Sequence, residues 1–114
     1  MRLFYVLAVC ALLALTGCGY DRKAEIYSAT ATTTPHFSSI RANILPKCLP
    51  CHSTGESSFT AYSGVLKRVS PGSPRASKFY TELESGDMPV DQPMLSDDDL
   101  LAVDQWIQNG AAND

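Results

Sequence analysis

Cys48-Leu49-Pro50-Cys51-His52 decides how this chain is read. Two cysteines stand three positions apart, and a histidine follows the second directly. A tight turn between the thiols sets them along one edge, and the next residue then projects its imidazole from the same side. In an exported protein this spacing reads as a c-type haem attachment site. Each thiol would add across one haem vinyl group, and His52 would be the proximal axial ligand of the iron. Two other chemistries use the same cysteines. A zinc centre needs four ligands disposed tetrahedrally, and here the only other histidine is His36, while His52 adjoins Cys51 too closely for good geometry. A thioredoxin-like dithiol calls for a βαβ setting and an aromatic residue before the first cysteine, where this chain has Lys47.

The start of the chain bears on the compartment. Met1-Arg2 is a short basic opening, and Leu3 to Leu15 is an apolar run of signal-peptide length, too short to span a bilayer. Leu15-Thr16-Gly17-Cys18 follows, small residues leading into a cysteine. That stretch resembles the lipobox of bacterial lipoproteins. The resemblance implies cleavage before Cys18, with lipid on its thiol and on the new amino terminus, and several acyl chains together anchor stably. Gly19 stands where an aspartate is associated with inner-membrane retention, which favours the periplasmic side of the outer membrane. The alternative is an ordinary signal peptide with Cys18 as a stray thiol, a liability in an oxidising compartment. The cysteine arithmetic then closes: Cys10 leaves with residues 1–17, Cys18 takes lipid, and Cys48 and Cys51 remain for the haem. Losing Arg2 moves the formal charge of the 114-residue chain from −3 to −4. That balance excludes a basic nucleic-acid binder.

Residues 18–36 read as a lipidated N-terminus and tether, because Ala-Thr-Ala-Thr-Thr-Thr-Pro carries no apolar period. The seventeen residues from Gly19 to Pro35 would span roughly 20–25 Å as a flexible coil. The folded domain is expected over 37–114, all helical, with no convincing strand. Phe37, Ile40, Ile44 and Leu45 recur at helical spacing, with Ser38 or Ser39 as cap and Pro46 as stop. A short helix is expected over Thr60 to Arg68, with Tyr62, Val65 and Leu66 inward. Another runs from Ser73-Pro74 to Gly86 and buries Phe79, Tyr80 and Leu83. Asp87 to Leu95 is an extended loop. Ser96 then caps a last helix, with Asp99 in a capping-box-like position and Leu100, Val103, Trp106 and Ile107 inward. A core of this size usually needs a staple, and covalent haem would supply it.

The sixth coordination position falls to Gly86-Asp87-Met88-Pro89. A thioether stabilises ferrous iron and raises the reduction potential. Met94, on the same loop, is the rival, and His36 is read as a solvated histidine. Together these segments make the chain resemble the class I-type cytochrome c domain, in particular the bacterial variant with a G-x-M-P and W-I-x-x-G-A ending. That ending appears as Gly86-Asp87-Met88-Pro89 and Trp106-Ile107-Gln108-Asn109-Gly110-Ala111. The resemblance implies a small cytochrome c-like fold of about four short helices around one haem c, in which the first and last helices cross. It implies thioethers at Cys48 and Cys51, with iron held by His52 and Met88. The Gly/Phe pair common at the helix crossing in mitochondrial-like members is absent.

The expected function is a lipid-anchored, periplasmic, monomeric electron carrier, not an enzyme. It would shuttle between Fe(II) and Fe(III) with membrane or periplasmic redox proteins as partners. The alternatives are a haem-based ligand binder or sensor with a displaceable distal site, and a cytochrome-like domain kept as a structural partner of a larger complex. Lys47 to Lys78 holds five bases and one acid, whereas Glu82 to Asp114 holds nine acids and no base. Such a dipole would orient the domain towards a charged partner, unless the acids simply form a solvated face.

Overall fold

The structure, a computed structural model, describes residues 33–56 and 58–114. The leader over 1–17, Cys10, the lipidation site Cys18 and the tether up to residue 32 lie outside the described residues. Among the described residues the regular elements are all helical, with no strand, as the sequence pattern predicts. They are α1 (Phe37–Asn43), α2 (Tyr62–Leu66), α3 (Lys78–Ser85) and α4 (Asp97–Gln108), with 3₁₀ turns at Leu45–Lys47 and Pro74–Ala76. None of these helices is long and apolar enough to cross a membrane.

α1 buries Phe37 and Ile40, and Ile44 and Leu45 just beyond it are also buried. Neither Ser38 nor Ser39 caps it. The N-cap is His36, which makes no side-chain cap bond, and Ser39 Oγ accepts the Thr34 N–H instead at 3.1 Å. Two N–H groups of the first turn, those of Phe37 and Ser38, find their partner in distant Asp114. Asp114 Oδ1 accepts from Phe37 N–H at 2.8 Å, the Asp114 carbonyl oxygen accepts from Ser38 N–H at 2.8 Å, and Oδ2 lies 2.7 Å from His36 Nδ1. A carboxylate at a helix start satisfies donors and opposes the helix dipole at once. Pro46 does not stop the helix, which has ended at Asn43. It is the second residue of the following 3₁₀ turn, where a missing N–H is tolerated.

The helix expected from Ser73 to Gly86 breaks at Ser77, which is extended (φ −94°, ψ 110°) and fully buried. Its hydroxyl accepts from Ser70 N–H at 2.9 Å and donates to the Ser73 carbonyl at 2.9 Å. These local bonds offer the backbone an alternative to the helical ladder. α3 resumes at Lys78, buries Phe79, Tyr80 and Leu83, and ends at Gly86 in the left-handed region (φ 82°). Beside it, Arg75 pairs with Glu84 and lies over the Tyr80 ring at 5.5 Å; burial, with help from the Glu84 charge, pushes the Tyr80 hydroxyl up to about 12.

α2 is shorter than the predicted 60–68 span, with Val65 buried and Tyr62 and Leu66 packed against the core. The Tyr62 hydroxyl donates to the Ala111 carbonyl at 2.8 Å. Gly64 lies so close to the Ser58 carbonyl that a Cβ would collide with backbone. α4 starts as predicted, with Ser96 Oγ accepting the Asp99 N–H at 3.2 Å. Its stripe of Val103, Trp106 and Ile107 is buried, and α1 and α4 pack together through Phe37 and Trp106, whose rings are 5.7 Å apart and tilted by 32°. The Trp106 Nε1–H donates to the Ala112 carbonyl at 2.8 Å, so the indole buries its one polar atom with a partner.

Two consequences are measurable. The Phe37 N–H, followed by His36, holds the Asp114 carboxyl below its ordinary value of 3.8. The stability this contributes is present above that value and is lost as pH falls through the lower, folded one. Asp114→Ala should therefore lower the melting temperature at neutral pH, and the gap from the parent protein should close as the pH drops below the ordinary value. Gly64→Ala should cost about 1–3 kcal/mol in urea denaturation, because the atom in its way is backbone and cannot rotate aside.

Candidate functional site

The Cys48–His52 segment is a continuous series of backbone turns. Cys48 N–H donates to the Leu45 carbonyl at 2.8 Å, and the Cys48 carbonyl accepts from both Cys51 N–H (3.2 Å) and His52 N–H (2.9 Å). The 3₁₀ turn over Leu45–Lys47 thus runs directly into the cysteine turn. Cys48 faces inward and is buried, whereas Cys51 is exposed; both thiols are free. Burial pushes the Cys48 thiol up, partly opposed by the neighbouring Lys47 ammonium.

A cleft of about 370 Å³ opens beside this turn. Its volume lies within the 300–1,000 Å³ or so typical of small-molecule and cofactor sites. Cys48, Cys51, His52 and Phe59 contribute one part of its lining. Phe79, Glu82 and Leu83 of α3 contribute a second, and Met88, Pro89, Val90 and Gln92 a third. The lining is largely apolar, with charges from Lys47, Arg68, Lys78 and Glu82. Lys78 and Glu82 pair across one turn of α3 at 3.7 Å. Four residues singled out from the sequence therefore share one cleft, although His52 and Met88 are 36 positions apart.

The two methionines separate. Met88 is half-buried on the cleft, and its N–H donates to the Glu82 carbonyl at 3.1 Å, which ties the loop to α3. Met94 is 59% exposed and does not line the cleft. It lies across Gly86, where a Cβ would fall 2.8 Å from its Cε and 3.1 Å from its Sδ. His36 is also away from the cleft, paired with Asp114. Trp106 is a core residue, as expected, but it does not line the cleft. Among the described residues no group of three or more His, Cys, Asp or Glu side chains could hold a metal ion, so the zinc alternative lacks a ligand set there.

Two features of the site were not anticipated from the sequence. The first is Phe59, whose ring stacks on the His52 imidazole with centroids 4.6 Å apart and planes within 16°. A large apolar residue after the polar run Ser53 to Ser58 was the available signal. The second is Asp99. Its N–H is capped as expected, but its carboxylate does not reach back to Ser96. It accepts from Thr33 Oγ1 at 2.6 Å and meets Lys47 Nζ at 3.5 Å. Thr33 is 2% exposed, so packing begins before Phe37, in a segment that carries no apolar pattern. No spacing rule links positions 33, 47 and 99.

Asp99 thereby couples the start of α4, residue 33 and the residue preceding Cys48. A neutral hydroxyl donating to a buried carboxylate contributes about 1.5–3 kcal/mol. Thr33→Val, which keeps the shape and removes the donor, should lower stability by about 1–2 kcal/mol in chemical denaturation. No family model, curated protein or solved structure matches the chain, so the chemistry of the cleft is argued from its own residues.

Proposed function

We propose that this chain is a monohaem c-type cytochrome, a carrier of single electrons, with the cytochrome c-like fold that its motifs imply. The observation that supports the reading best is the single cleft lined by Cys48, Cys51, His52 and Met88. Two thiols for covalent attachment, an imidazole and a thioether make a donor set suited to haem c, and the apolar lining suits a porphyrin plate. Haem c, when bound, supplies one-electron Fe(II)/Fe(III) chemistry. Cys48 and Cys51 would hold the group through their sulfurs, and His52 and Met88 would ligate the iron. Phe59, Phe79 and Leu83 would help to keep water out of the cleft, and the soft Met88 sulfur would favour the ferrous state. Ligation by both His52 and Met88 would leave no position on the iron for a substrate, which is why the reading is of a carrier and not an enzyme.

In this reading Cys18 carries the lipid, the domain sits on the periplasmic side of a bacterial membrane, and its partners are membrane or periplasmic redox proteins. The test is expression of the full chain in a periplasm with haem-attachment machinery. The expected product keeps haem after denaturation, gives a pyridine haemochrome spectrum, and is low-spin when ferric. A methionine-to-iron charge-transfer band should disappear in Met88→Ala, while covalent haem and the Met94→Leu spectrum stay unchanged. High-spin, five-coordinate iron that readily takes up carbon monoxide would favour a ligand sensor instead. A chain that retains no haem would overturn the reading altogether.

A further inference from the structure

The imidazole of His52 is held by more than its own backbone. The backbone N–H of His52 donates to the Cys48 carbonyl at 2.9 Å, and the His52 carbonyl accepts the Phe59 N–H at 2.7 Å. These bonds place the Cα–Cβ axis, and the ring plane is then set by rotation about Cα–Cβ and Cβ–Cγ. Phe59 restrains that rotation. Its ring lies nearly parallel to the imidazole, with 4.6 Å between centroids, so turning the imidazole drives its edge into the phenyl face. Phe59 cannot readily yield. It is 8% exposed, and the Phe79 ring meets it at 90° with centroids 5.6 Å apart. Phe79 is 5% exposed and is fixed in turn by its N–H, which donates to the Arg68 carbonyl at 2.9 Å. A contact series therefore runs from the start of α3 through two phenyl rings to the imidazole in the cleft.

We propose that Phe59 is a positioning residue that sets the plane of the His52 imidazole, with Phe79 as its backstop. The inference rests on the haem reading of the cleft, because the plane of an axial imidazole matters through its overlap with the iron d orbitals. Neighbours that orient a ligating histidine tune a metal centre without touching the metal. Phe59 acts through His52 by shape alone, since a phenyl ring neither donates nor accepts a proton.

The test uses the haem-loaded full chain. In the ferric protein, the order and spread of the four haem-methyl resonances report the orientation of the axial ligands. Phe59→Leu keeps an apolar side chain but removes the flat face. It should reorder or compress the four resonances while covalent haem and the Met88 charge-transfer band persist. Phe59→Tyr, which keeps the face, should restore the parent pattern. A Phe59→Leu protein with lowered melting temperature and an unchanged methyl pattern overturns the proposal and leaves a merely structural role. If Phe59→Leu fails to accumulate, the diamagnetic ferrous parent protein decides: nuclear Overhauser contacts between the His52 and Phe59 rings are expected, and their absence overturns the proposal. A parent chain lacking haem overturns the function reading and this inference together, whereas an unchanged pattern in a loaded variant removes this inference alone.

Discussion

The Cys48 carbonyl accepts two backbone N–H groups, from Cys51 and His52, and the rest of the site depends on that one oxygen. It forces two thiols and an imidazole to leave the backbone within one turn. The turn is in turn fixed from below by Leu45, a buried residue whose carbonyl takes the N–H groups of Cys48 and Leu49. Core packing and site geometry are therefore not separable here. A shift of the Ile44–Leu45 pair in the core would be felt directly at the thiols.

The cleft is completed by elements distant in sequence, and hydrogen bonds outside the helical ladders do much of that assembly. Phe59 returns to His52 through its N–H, Phe79 is tied to Arg68, and Met88 to Glu82. None of these three bonds lies inside a helix, yet each sets the position of a cleft residue. A domain with four helices of 5 to 12 residues has little helical ladder to rely on. Isolated helices of such length are marginal in water. Their stability comes from the shared apolar interior around Ile40, Val65, Val103 and Trp106.

Much of the fold was legible from local signals. The apolar stripe of α4, its Ser96 cap, the stop at Gly86 and the inward face of α3 all follow from residues within four positions of one another. What was illegible has a common physical character. Ser77 breaks a helix through bonds to Ser70 and Ser73, which compete with a ladder that the residue pattern allows. Asp114 caps α1, and Thr33 meets Asp99, across separations of 77 and 66 residues. Short polar side chains carry no periodicity, so their partners emerge only when the chain is folded. The site itself was more readable than its supports: Cys48, Cys51, His52 and Met88 meet in one cleft, but the ring stacked on His52 had no motif to mark it.

The contacts of Asp114 also bear on topology. With its backbone and carboxylate both bonded at the first turn of α1, and Thr33 buried only four positions before that helix, the described chain is nearly a closed ring. The order of elements around a ring does not depend on where it is cut. The exposed residues 53–56, which follow His52, are such a place. A permuted chain opened there and joined from Asp114 back to Thr33 would keep every helix-to-helix contact, yet it would sever His52 from Phe59 along the backbone. Permutation thus divides two roles that the natural connectivity combines: keeping the domain folded, and holding one imidazole in its plane.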